Sequence, residues 1–382
     1  MKRAEFRMVR ESAKAVAMPG REDSLQRLRA FWVGESYDGS PALGIQVRLG
    51  DSGPASELAS LPAKERDWRP EWQVAQYRAT ARNIRYLGEL FPGHHAVMAR
   101  FLALPAVLAA GDYDEDPDNV WIREDPRVFD QEPPAFDPAH PRMRSLEQCY
   151  DALKEAVAAP DFVTPPLMLD GLTTLSMIMG ADRLCEAMVD NPQRVKAWAG
   201  ALNDLYMGCY EHIYRRLGYG RSLCFFGPMA EGRSEGVQCD FSVMLSPEMF
   251  RQFVLPDLRR VTDYMDYSLY HLDGTCQMRF LDLLRQCPRL NGIQWNPEPT
   301  AGSPLQWLDV LREIRRRRFS LYIFCSVDDA VALVRELGPE GLYLQLPAFN
   351  SLADAEAALR KFGRRDLSIE GVQPGNAPVG AR

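Results

Sequence analysis

The residues of this chain best suited to chemistry are a histidine and an aspartate two positions apart, His271 and Asp273, in the run LYHLDG. In an extended segment a spacing of two puts both side chains on one face, so the pair can address one ligand. Other reactive types stand at the ends of short apolar runs: Asp170 after PLML, Cys239 and Asp240 in VQCDFS, Gln294 and Trp295 in GIQW, and Cys325 in LYIFCS. A neutral imidazole is a common transition-metal ligand and thiolates are soft donors. His271 with Cys239 and Cys325 therefore makes a candidate open site for zinc, or for copper. Asp240 and Asp273 make a candidate carboxylate pair for proton transfer beside His271, because like charges held close keep one group protonated. Asp170, Gln294 and Trp295 are candidates for substrate contact, the last two as an amide clamp and a flat wall. Packing is the favoured reading of Trp295. Against these stand plainer readings: a hydrogen-bonded core histidine, and cysteines that are small buried hydrophobes.

Other polar runs are given structural readings. His94 and His95 are adjacent, so their side chains diverge, joint metal binding is not expected, and solvent is their expected environment. The acidic stretch 111–118 reads as a solvated loop. Arg315 to Arg318 close an amphipathic helix, where cations complement the helix dipole. Ser246-Pro247-Glu248 reads as a helix start, with Ser as N-cap and Pro at the first helical position.

The elements that must position the reactive residues alternate. Apolar runs at 43–49, 167–169, 223–226, 269–272, 292–295, 320–324 and 342–346 read as strands. Helical patterns at 24–32, 72–90, 101–109 and 353–362 intervene or flank. Strands separated by helices imply parallel pairing through right-handed crossovers, and six or more such units favour closure. The expected fold is a single α/β (β/α)8 TIM-type barrel over residues 41–365, with an N-terminal helical extension, 1–40, and a flexible tail, 366–382. In such a barrel the C-terminal strand ends carry the chemistry.

Composition narrows the function classes. The chain has 382 residues and a formal net charge of −7, and only six of its 45 basic residues are Lys, so a nucleic-acid surface is not implied. The start lacks the apolar core of a signal peptide, and the longest apolar stretch, FLALPAVLAA, is far short of a bilayer span and holds Pro105. A cytoplasmic protein without membrane contact is expected, its eight cysteines reduced. No GxGxxG, GxxxxGK[ST] or HExxH occurs, which weakens nucleotide-binding and zincin readings.

The segment VQCDFSVMLSPEMFRQFVLPDLRRVTDYMDYSLYHLDG resembles the uroporphyrinogen decarboxylase superfamily, through a Ser-Pro-Glu-x-Phe-x-x-Phe-x-x-Pro helix leading to a strand that ends in His. Weaker similarity runs from about Leu43 to Leu359 and includes GADRLCEAMVDNPQRVKAW. The resemblance implies one (β/α)8 barrel with a deep pocket at its C-terminal face, and a homodimer. The chain departs from both main branches. No FLRQAGRY-like segment, which holds substrate carboxylates in the decarboxylases, occurs near residues 1–45. The His-x-Cys zinc motif of the corrinoid and thiol methyltransferases here reads His271-Leu272-Asp273. Their late Cys would fall near Leu346-Pro347, whereas Cys325 sits one strand earlier. Three functions follow for a small-molecule substrate. The first is a metal-dependent methyltransferase with His271 and Cys239 or Cys325 as ligands, for which the resemblance adds a corrinoid protein partner. The second is a decarboxylase or lyase using Asp240, Asp273 and His271 on a carboxylated substrate. The third is a non-catalytic ligand-binding barrel.

Overall fold

The computed structural model describes residues 21–364 except 52, 55, 97–101, 111–112, 116–119 and 225–226. The expected tail, 366–382, the first 20 residues of the extension and part of the acidic stretch thus lie outside the described residues. The main sheet has seven strands: β1 (Ala42–Arg48), β2 (Ile84–Gly88), β3 (Ser234–Val237), β4 (Tyr267–Asp273), β5 (Gly292–Asn296), β6 (Ser320–Phe324) and β7 (Leu342–Gln345). Their order is β2-β1-β7-β6-β5-β4-β3. All neighbours are parallel except β2, which runs antiparallel to β1.

The expected mixed α/β fold with a parallel sheet is present; its ladders among the described residues are this seven-stranded sheet and three separate two-stranded pieces, which do not by themselves complete an eight-stranded barrel. The run 167–169 joins no ladder, and its Leu169 N–H is spent on the Leu102 carbonyl. The segment 72–90, expected as one helix, is helical only over Pro70–Asn83. It then turns into β2, which takes the hydrogen-bonding edge of β1 that a parallel crossover strand would occupy. Ile84, Tyr86 and Leu87 favour extended backbone, because β-branched and aromatic side chains crowd a helix. Elsewhere the expected helices form. Ser246 caps Pro247–Phe253 by accepting from the Met249 N–H. Arg316 and Arg317, at the end of the Arg-rich helix, pair with Glu313 and Asp282. All eight cysteines are free, and among the described residues no helix is long and apolar enough to cross a membrane.

The two faces of the sheet have different neighbours. On one, Ile293, Trp295, Leu321, Ile323 and Leu344 belong to the large core shared with the surrounding helices. On the other, Tyr267, Leu269, Tyr322 and Tyr343 pack with Leu25, Leu28, Phe31 and Trp32 of α1 (Glu22–Trp32). The C-terminal turn of α1 is fixed to strand starts: Ser320 Oγ donates to the Phe31 carbonyl at 2.6 Å and Asn291 Nδ2 to the Trp32 carbonyl at 3.0 Å. This helix therefore closes the N-terminal end of the inner face, leaving its C-terminal end for polar residues.

Both ends of the described chain converge on one buried carboxylate. Glu89 is fully buried. Its Oε1 and Oε2 accept from Arg364 at 2.7 and 2.8 Å, Oε1 from Arg27 at 3.3 Å, and Oε2 from the Leu43 N–H of β1 at 2.7 Å. A carboxylate removed from water needs such donors to offset its desolvation. Arg21 completes the grip by donating to the carbonyls of Gly88 and Leu90. Glu89→Ala would leave the Arg364 guanidinium buried without its carboxylate, and should cost about 3–5 kcal/mol in urea unfolding. A loss below about 1 kcal/mol, the range of an exposed pair, would show that this cluster does not hold the fold together.

Candidate active site

The parallel register places the polar residues of β4 and β5 side by side. His271 is level with Gln294, and Asp273 with Asn296. Each rung is hydrogen-bonded: His271 Nδ1 lies 2.7 Å from Gln294 Oε1, and Asn296 Nδ2 donates to Asp273 Oδ1 at 2.8 Å. Because the amide oxygen can only accept, Nδ1 carries the hydrogen, and Nε2 of the neutral ring keeps its lone pair. That Nε2 is 3.7 Å from Asp273 Oδ1. Burial holds the His271 pKa below its ordinary value, opposed by the Gln294 hydrogen bond and by the Asp273 charge. The resting imidazole is neutral at pH 7, with a carboxylate placed to stabilise its protonated form.

Two further carboxylates, Asp170 and Asp240, stand near each other on adjoining elements, and the charge of Asp273 reaches Asp240. Asp170 is the N-cap of α2 (Gly171–Met179), accepting from the backbone N–H groups of Leu172 and Thr173 and from the Thr173 hydroxyl. Gly171 next to it allows α2 to lie against α3 (Pro192–Leu217), since a Cβ there would stand 2.0 Å from the Ala199 carbonyl oxygen. Thr173 Oγ1 also accepts from the Phe241 N–H at 3.3 Å, which ties the 3-10 turn Asp240–Met244 to the start of α2. Asp240 is thereby held near Asp170. Its Oδ1 is buried without a hydrogen-bond partner among the described residues. Burial, then the charges of Asp170 and Asp273, push its pKa up to about 7. Burial also raises Asp170, against the hydrogen bonds from Thr173.

Other sequence candidates fall elsewhere. Trp295 points to the opposite face of β5, 1% exposed and packed on Trp307 at a ring separation of 5.8 Å, so its expected substrate contact is corrected to packing. Cys239 and Cys325 belong to the outer core with the helices. Burial drives the Cys239 thiol well up, and the Cys325 thiol up to about 12. Among the described residues, no three His, Cys, Asp or Glu side chains gather into a metal-holding group. The expected zinc or copper ligand set of His271, Cys239 and Cys325 does not gather among the described residues; Cys239 Sγ lies instead beside Asp170 and Thr173, 3.9 Å from Thr173 Oγ1. His94 and His95 are also corrected from solvent to interior. His94 is 8% exposed, 3.1 Å from Asp161 and edge-on to Tyr77, and His95 Nδ1 is 2.7 Å from the Pro165 carbonyl.

Residues that the sequence analysis passed over complete the inner face. Gln294 is level with Tyr322, Tyr322 with Tyr343, Phe324 with Gln345, and Gln345 with Gly44. Phe324 is 47% exposed, at the end of an otherwise buried strand. The signal for these was the same two-residue period that paired His271 with Asp273, carried through SLYIF and LYLQ.

No family model matches the chain, and no curated protein matches its sequence. Among solved structures, the chain is similar to a methyltransferase from Methanosarcina mazei, with a TM-score of 0.55 at 14% identity over 89% of this chain and 98% of that one. This similarity supports the mixed α/β fold with its parallel sheet.

Asp240 offers a measurement independent of substrate. Between its ordinary value of 3.8 and about 7 the folded protein keeps a proton on Asp240 that the unfolded chain has lost. This group's contribution to stability therefore falls as pH rises through that window. Asp240→Asn should accordingly be more stable, relative to wild type, at pH 8 than at pH 4, by a few kcal/mol at most at about 1.4 kcal/mol per pH unit. Denaturant unfolding at both pH values measures this, and a constant difference would refute the raised pKa.

Proposed function

We propose that the protein is an enzyme acting on a small molecule at the C-terminal edge of the sheet by general acid–base chemistry, with His271 as base and Asp240 as acid. The observation that carries this reading is a His271 ring whose Nδ1 hydrogen is committed to Gln294 and whose Nε2 lies 3.7 Å from Asp273, a carboxylate whose charge also reaches Asp240. A group with a pKa near 7 is well matched to proton transfer at neutral pH. In a lyase step, His271 Nε2 takes a proton from the substrate and the bond to the departing group breaks. Asp240 gives its proton to that group, and Asp273 stabilises the imidazolium that results. In a decarboxylation, the C–C bond electrons remain on the substrate carbon as CO2 leaves, and Asp240 protonates that carbon.

Methyl transfer is a second reading, favoured by the structural similarity to the Methanosarcina mazei methyltransferase. There His271 would take the proton of the acceptor as its lone pair forms the bond to the methyl carbon and the carrier leaves with the old bonding pair. The corrinoid protein partner belongs to this reading alone.

Turnover found in a screen of small-molecule lyase, decarboxylase and methyl-transfer reactions should fall by roughly 10²- to 10⁴-fold in His271→Ala and in Asp240→Asn. Cys239→Ser and Cys325→Ser should change it little. Loss of activity in Cys325→Ser with His271→Ala still active would reverse the assignment.

A further inference from the structure

Two turns at the C-terminal edge of the sheet are joined by one side chain outside the proposed chemistry. The 3-10 turn Asp240–Met244 follows β3 and carries Asp240, and the 3-10 turn Thr275–Phe280 follows β4 directly after Asp273 and Gly274. Arg279 stands on the second turn and reaches across to the first. Its Nε and Nη2 donate to the Leu245 carbonyl at 3.2 and 2.9 Å, and Nη2 also meets the carbonyls of Val243 at 2.9 Å and Ser242 at 3.3 Å. Its Nη1 donates to the Cys276 carbonyl of its own turn at 2.8 Å. The last carbonyls of a helical turn find no partner within it, and the planar fork of a guanidinium can collect several of them at once.

The arm that makes this grip has a firm base. Phe280 is fully buried and its ring is stacked on Phe250 at 4.3 Å, with the Arg279 guanidinium over its other neighbours' side at 4.7 Å from the ring centre. Gln277, also fully buried, accepts from the Tyr270 hydroxyl of β4 at 3.2 Å. The second turn is thus fixed to the strand that carries His271 and Asp273. On the first turn, the Phe241 N–H bond to Thr173 holds the start. Arg279 holds the far half, where Val243 and Met244 are exposed.

We propose that Arg279 is a positioning residue of this site, clamping the turn after β3 to the turn after β4 so that Asp240 stays folded against the strand edge and out of water. It touches no reacting atom. The effect on turnover rests on the acid role given to Asp240 under the proposed function, whereas the clamp is read from the hydrogen bonds alone.

The test follows the Asp240 carboxyl without substrate. Its carboxyl carbon NMR signal, identified by its loss in Asp240→Asn, is titrated in the full chain of wild type, Arg279→Ala and Arg279→Lys. The wild-type midpoint should lie at about 7. In Arg279→Ala the released turn admits water to the carboxyl, and the midpoint should fall by about one pH unit or more, a tenfold stronger acid. The sign separates a clamp from a charge effect, because deleting a nearby positive charge raises the pKa of an acid. Arg279→Lys keeps the charge but lacks the planar fork, so its midpoint should lie between the other two, and it carries the measurement if Arg279→Ala does not fold. Retained His271 ring signals show that a variant is folded. A midpoint unchanged or raised in the folded variants would overturn the proposal. On a substrate found by the turnover screen, Arg279→Ala should lower kcat roughly tenfold or more with KM little changed, as expected of a displaced acid. The two readings fail separately: an unmoved midpoint removes the clamp alone, and turnover retained in Asp240→Asn removes the acid assignment alone.

Discussion

The structure depends on the register of its parallel strands. Because side chains alternate across a sheet, one register decides at once which residues meet the helices and which meet the inner face. With His271 level with Gln294 and Asp273 level with Asn296, the inner face carries two hydrogen-bonded polar rungs, and the outer face carries Leu272, Ile293 and Trp295 into the helical core. A shift of one residue in β5 would bring Trp295 to the imidazole and bury Gln294 among leucines. The buried outer face is what holds the register against such a slip, so packing remote from the chemistry fixes the chemistry.

The inner face grades from apolar to polar along the strands. At its N-terminal end Phe31 and Trp32 of α1 pack on Tyr267, Tyr322 and Tyr343, and at its C-terminal end stand His271, Asp273, Asn296 and Gln345. Glu89 brings Arg27 of α1, the Leu43 N–H of β1 and Arg364 to one buried point. The helix that closes the base and the last described residue are thus braced on the same strand pair. Removing water from that end leaves the other as the polar opening of the sheet.

At that opening the distribution of charge separates one chemistry from another. A thiolate metal site needs cysteines gathered beside the histidine, and among the described residues Cys239 and Cys325 form no such group with His271. A carboxylate cluster instead resists full ionisation, and the result is a group, Asp240, that changes protonation near neutral pH.

Much of this was legible in the sequence. Alternation of apolar runs with helical patterns gave the parallel strands, since that pattern depends only on local periodicity. The spacing of His271 and Asp273 gave their common face, and Ser246-Pro247 gave a helix start. Three features needed the folded chain. Cys239 and Cys325 stand at strand ends like His271, but which face a strand-end side chain takes is set by the neighbouring elements. Asp240 comes near Asp170 only because Thr173 binds the turn that carries it, 68 residues apart in the chain. The edge position next to β1 went to β2 because hydrogen-bond partners are chosen in three dimensions, where a helix ending at Asn83 can fold a strand back. Sequence by itself determined which residues could face one another across a short period. Tertiary structure decided which did, because burial, register and the spending of each hydrogen bond are properties of the assembled sheet.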